Sequence, residues 1–274
     1  MRNVLIIGCS HSQGYSYYEN DENKKLNIES RELGVHGWYT YVDKFKKCDN
    51  VFVISTPGSG YAFWSSIFHL GFRDTSFLEK FDTIIIQESH EFRFKVPHET
   101  QLWGHLEHDF IRFHENTIEN IEVYMIDTKN DALEIGDFKP QIRDDISYLT
   151  KKGLKFIYRN DEISKCMLLG SMYTLCENAK MISNSHNIYV WSMDDHYINP
   201  DVSKNWFWFK CKYVTRLNLQ VDNVYTHLWK NGGLTLPYEK GHENAKKYMF
   251  DNQLICHANK EGNKMIGKLI NKAL

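Results

Sequence analysis

Asn3-Val4-Leu5-Ile6-Ile7-Gly8-Cys9-Ser10-His11-Ser12-Gln13-Gly14 is the stretch on which the fold turns. Residues 3–7 are a compact apolar run, and the residues after them are small or polar. A short run without alternation suits a strand buried on both faces, as in a parallel sheet. Two further runs repeat the pattern. Val51-Phe52-Val53-Ile54 ends in Ser55-Thr56-Pro57-Gly58-Ser59-Gly60, and Thr83-Ile84-Ile85-Ile86 ends in Gln87-Glu88-Ser89-His90. The three together predict an α/β chain with a mainly parallel sheet, helices on both faces and the first strand at its centre.

The connecting segments fill in that scheme. Trp38, Tyr41, Val42 and Phe45 at helical spacing predict a short helix over residues 38–45, and residues 62–70 offer a second crossover. Residues 105–120 read as largely helical, before a candidate strand over 122–126. A stronger helix is expected over 162–183, a core strand over 187–192, and an amphipathic helix over 262–270, where Met265, Ile266, Leu269 and Ile270 share one face. No repeat or long linker interrupts the chain. A single domain spanning 1–274 is therefore expected, with an elaborated middle at 127–212.

Composition narrows the function. Across 274 residues, 33 Lys+Arg nearly balance 35 Asp+Glu, giving a formal charge of −2. That balance supplies no broad attraction to nucleic acid. No apolar stretch approaches the length of a membrane span. The opening apolar run is too short for a secretion signal, so the cytoplasm is the expected location, including that of a virus-infected host cell. The 6 cysteines form no Cys-x-x-Cys pair, which points to free, buried thiols. His105 and Asp109 stand one helical turn apart, and Asp194-Asp195-His196 is a second acidic cluster, but neither completes a ligand set, so no metal is expected. The opening loop lacks both Gly-x-Gly-x-x-Gly and Gly-Lys-Ser/Thr, the marks of dinucleotide and P-loop sites. No cofactor is expected.

Open parallel sheets bind ligands beside the turns at their carboxyl edge, which is where Ser10 stands. A hydroxyl there can be a nucleophile; the alternative is that Ser10 or Ser12 caps a helix. Likewise Gly58 either lets the chain approach a ligand closely or simply makes a Pro-Gly turn.

Gly8-Cys9-Ser10-His11-Ser12, the Pro57-Gly58-Ser59-Gly60 turn, the exit of the third strand and His257-Ala258-Asn259-Lys260-Glu261-Gly262 together resemble the SGNH or GDSL-type hydrolases. The likeness runs in order along nearly the whole chain, with the middle poorly matched. It implies a three-layer, flavodoxin-like α/β/α fold and hydrolysis of a small acyl ester, such as an O-acetylated sugar or polysaccharide. Ser10 matches the nucleophile, His257 the general base and Gly58 the oxyanion glycine, with the Ser10 N–H a second oxyanion donor.

Three positions depart from the family pattern. Cys9 stands where an aspartate is common, Leu254 where an aspartate often precedes the histidine by three residues, and the third block lacks its oxyanion asparagine. Ser89 is the favoured replacement donor, with Gln87 a supporting amide. Leucine cannot orient an imidazole, so a Ser-His dyad, or a triad completed by Asp251, is implied. Glu88, Trp206, Trp208 and Tyr213 are candidate substrate contacts, with core packing the alternative for each aromatic. The rival function is a noncatalytic carbohydrate-binding or assembly protein on the same fold; the residues do not specify the oligomeric state.

Overall fold

The Ile-rich run after Asn3 forms β1 (Asn3–Gly8), and the two other apolar runs form β2 (Asn50–Ser55) and β3 (Thr83–Glu88) on either side of it. Both neighbours run parallel to β1, with Ile6 opposite Val53 and Ile85. In the computed structural model, the described residues are 2–12, 37–55, 60–61, 64–65, 68, 78–88, 94–97, 110–113, 121–126, 132–135, 140–141, 161–193, 208–221, 223–234 and 257–274.

The sheet continues past β3 with β9 (Asn187–Ser192) and the two-residue β10 (Thr215–Arg216), both parallel. The five strands therefore run β2-β1-β3-β9-β10, the flavodoxin-like order, and the structure is a three-layer α/β/α fold. Beyond β2 the sheet is extended by β6 (Ile121–Ile126), which is parallel, and β5 (Phe110–Phe113), which is antiparallel. A second sheet is antiparallel and consists of β4 (Phe94–Pro97), β7 (Ala132–Ile135) and β8 (Pro140–Gln141).

Side chains alternate across the strands and divide the core in two. On one face Leu5, Ile7, Ile84 and Ile86 meet Trp64 and α1 (Asp161–Ile182), which contributes Met172 and Leu175. On the other, Val4, Ile6, Val53 and Ile85 meet Trp38, α2 (Val224–Lys230) and α3 (Lys260–Ala273). Full burial of each such side chain stabilises by roughly 1.5–3 kcal/mol, so the layers are held by many equivalent contacts.

Two expectations are corrected here. The segment read as a helix over 105–120 carries β5, because Phe110–Phe113 pairs with β6 over four residues and ladder bonds outweigh local propensity. The expected helix over 38–45 is two separate 3-10 turns, Trp38–Tyr41 and Phe45–Lys47. Val42 between them is extended, and so short a segment cannot bear the cost of nucleating a longer helix. The cysteines among the described residues are free, but only Cys9 and Cys48 are buried, while Cys166 is exposed. Among the described residues no helix is long and apolar enough to cross a membrane.

Candidate active site

β1 leads straight into Cys9 and a 3-10 turn over Ser10–Ser12, closed by the Ser12 N–H donating to the Cys9 carbonyl at 2.9 Å. The turn is held from the neighbouring strand. Gln87, fully buried at the end of β3, accepts through Oε1 from the Cys9 N–H at 3.2 Å, the Cys9 thiol at 3.1 Å and the Ser12 hydroxyl at 3.2 Å. Its amide nitrogen donates to the Glu88 carbonyl. Trp38 Nε1 donates to Ser12 Oγ at 3.1 Å, which ties the turn to the α2/α3 side of the sheet as well. Gly8 is required by this packing, since a Cβ there would lie 2.3 Å from Ser12 Oγ.

The loop that carries His257 is docked independently. Ala258 forms an antiparallel bridge with Leu234, and the Asn259 N–H donates to the Gly233 carbonyl at 3.0 Å. Asn259 Oδ1 accepts from the Gly262 N–H at 2.9 Å and caps α3, while its Nδ2 donates to the Gly232 carbonyl at 2.9 Å. A Cβ on Gly262 would sit 1.9 Å from the Gly233 oxygen, so only glycine lets the two segments approach. The spacing of Asn259 and Gly262 after His257 thus has a local cause: it seats the loop.

The two halves meet through His11. Its ring centroid is 4.9 Å from that of His257, with planes tilted by 35°. Its Nε2 is hydrogen-bonded to the Tyr225 hydroxyl at 2.6 Å, and the Tyr225 ring packs against it edge-on at 5.5 Å. The residue after Ser10 therefore touches the tail histidine, at the carboxyl edge where the β1 and β3 connections diverge.

No family model matches the sequence, and no curated protein matches it. Among solved structures, the chain is similar to an acetyl xylan esterase from the rumen bacterium Butyrivibrio proteoclasticus. The identity is 11%, the TM-score is 0.42, and the match covers 99% of this chain. The chain spans 63% of the length of that protein.

The remaining candidates lie around the end of β3. Glu88 is 1% exposed, and its carboxylate accepts two bonds from Arg216, each 2.8 Å, besides bonds from Trp208 Nε1 and, at 3.4 Å, the Tyr61 hydroxyl. Its oxygens are thus occupied by protein donors. Trp208 is fully buried, and Tyr213 is half-buried against the same core. Arg216 also stacks over Phe209, 4.2 Å from the ring centroid. Beside this segment the Cys211 thiol is pulled down to about 7, chiefly by the Cys176 thiol that hydrogen-bonds to it.

The Ser10 side chain, Gly58, Ser89, Asp251 and Trp206 lie outside the described residues, as do His105, Asp109 and the 194–196 cluster. Among the described residues no group of three or more His, Cys, Asp or Glu is placed to hold a metal ion. His11 and Tyr225 are the participants that sequence reasoning did not single out. His11 stood inside the quoted loop but carried no family match; Tyr225 is 214 residues away and gave no local signal.

Proposed function

We propose that this chain is a serine esterase of the SGNH type acting on a small acyl ester, with Ser10 as nucleophile and His257 as general base. The observation that carries the reading is the contact of His257 with His11, the residue next to Ser10. In the reaction, Ser10 Oγ bonds to the acyl carbon and its proton passes to His257. The oxyanion that forms is stabilised by the N–H groups of Ser10 and Gly58 and by the Ser89 hydroxyl. The ester C–O bond then breaks, and the proton on His257 leaves with the alcohol. Water, deprotonated by His257, attacks the acyl carbon, and the proton returns to Ser10 as the acid departs. The sequence of steps balances without a cofactor.

The carrier we favour is an O-acetylated sugar or polysaccharide, contacted by Trp206 and Tyr213. Gln87 and Glu88 are assigned supporting roles, since their polar atoms are bound to the Cys9–Ser12 turn and to Arg216 respectively. Asp251 is the acid that would complete a triad with His257.

Wild type and Ser10→Ala, both shown to be folded, are compared on p-nitrophenyl acetate and with a fluorophosphonate probe. Wild type should turn over and label, while the variant should lose labelling and at least about a thousandfold in kcat. Labelling that persists in Ser10→Ala would reject Ser10 as nucleophile. A folded wild type inert towards a panel of acetyl esters, yet retaining affinity for acetylated polysaccharide, would leave the noncatalytic binding function standing instead.

A further inference from the structure

An imidazole that accepts a proton from serine must be held in one orientation, usually by a carboxylate. Three residues before His257 stands Leu254, which cannot do this. His257 nonetheless has a flat partner. The His11 ring lies 4.9 Å away, centroid to centroid, with the planes 35° apart. That separation lies in the range of aromatic ring contacts, about 4.5–7 Å between centroids.

His11 is itself fixed. It is 6% exposed, and its Nε2 is 2.6 Å from the Tyr225 hydroxyl. Tyr225 stands in the first turn of α2, where the Asn223 side chain caps the helix and the Tyr225 N–H donates to the Met193 carbonyl at 3.1 Å. Met193 follows β9 directly. A continuous line of contacts therefore runs from the end of β9 through Tyr225 and His11 to His257.

We propose that His11, locked by Tyr225, is a positioning residue for His257, restricting its ring by contact beside any acid, such as Asp251, that completes the triad. The inference rests on the esterase reading of Ser10 and His257, and adds to it the residues that make the histidine competent. A hydrogen bond would fix the ring through one nitrogen, whereas the ring contact acts on its plane.

Three variants test it, each checked for folding by thermal melting: His11→Ala, His11→Phe and Tyr225→Phe. On p-nitrophenyl acetate, His11→Ala should lower kcat by about 10- to 100-fold, the scale of a displaced catalytic group, with KM within about twofold. His11→Phe, which keeps a flat ring, should recover at least about half of that loss on a logarithmic scale. Tyr225→Phe should lose roughly 3- to 10-fold, because it frees His11 without removing it. Wild-type kcat in folded His11→Ala would overturn the proposal. So would His11→Phe as slow as His11→Ala, since the ring contact would then not be what acts.

A second readout separates this outcome from failure of the esterase reading. In protein labelled with 13C at the histidine rings, the NOE between the rings of His11 and His257 should be present in wild type and weakened in Tyr225→Phe. The His257 ring signals should broaden or move in His11→Ala and hold in His11→Phe. Inertness of wild type towards ester and fluorophosphonate, with these NMR changes intact, would sink the esterase and keep the positioning contact. Unchanged His257 signals in all three variants would sink the contact whatever the activity.

Discussion

A single carbonyl oxygen, Oε1 of Gln87, accepts from three donors, and all three belong to the turn that carries the candidate nucleophile. Gln87 has no exposure to water, so nothing else replaces that acceptor if it is lost. Gln87→Leu keeps the volume roughly constant but leaves the Cys9 N–H and the Ser12 hydroxyl without it. Two buried donors left unsatisfied cost about 2–4 kcal/mol together, and the expected result is a fall of that size in the free energy of unfolding by urea, with an unchanged denaturant slope. A loss below about 0.5 kcal/mol would mean that the turn is held by something other than β3. The sequence places Gln87 at the end of a strand, which suits an amide donor to an oxyanion equally well. Which way its amide points depends on what β1 brings opposite it, and that is a matter of register between strands 78 residues apart.

At the scale of elements, the strands of the main sheet were legible where burial on both faces wrote an unbroken apolar run: β1, β2, β3 and β9 all appear as such. β10 did not, because two residues, Thr215 and Arg216, carry no periodicity. β5 was misread because Phe110–Phe113 becomes a strand only by lying against β6. In the site, the loops of Ser10 and His257 stood out through their motif-like spacing, whereas Tyr225 lies on a seven-residue helix too short to announce itself. α3 shows what such spacing encodes. Its first turn presses on the 232–234 segment so closely that Gly262→Ala would drive a Cβ to 1.9 Å from a backbone oxygen, and backbone yields poorly. The variant should lose about 1–3 kcal/mol by overpacking. Its acetyl-ester kcat should fall further than that of an equally destabilised variant elsewhere, because the His257 loop moves with the helix. Equal kcat in the two would show that the seat of α3 does not set the position of His257.

Across the whole molecule, the Glu88 carboxylate joins parts that are far apart in sequence. It sits at the carboxyl end of β3, next to the centre of the sheet, and binds Tyr61 from the β2–β3 connection, Trp208 from the turn before β10, and Arg216 on the β10 edge strand. Glu88 is 1% exposed and Arg216 about one-third, so the pair is desolvated mainly on the acid's side. Removing only the cation leaves a buried charge with neutral donors, which is the costly way to break such a pair. Arg216→Met should therefore destabilise by about 2–4 kcal/mol, somewhat less than the roughly 3–5 kcal/mol for a fully buried pair because the guanidinium is partly solvated. Glu88→Gln removes the charge and leaves an amide that Trp208 and Tyr61 can still address, so Arg216→Met added to Glu88→Gln should cost less than it does alone. The coupling from the four-protein cycle, read from urea unfolding at neutral pH, should reach about 1–3 kcal/mol. Coupling near zero would mean that Arg216 does not hold the carboxylate in solution. The substrate contact that the position of Glu88 in the sequence suggests would then regain its standing against the structural role assigned here.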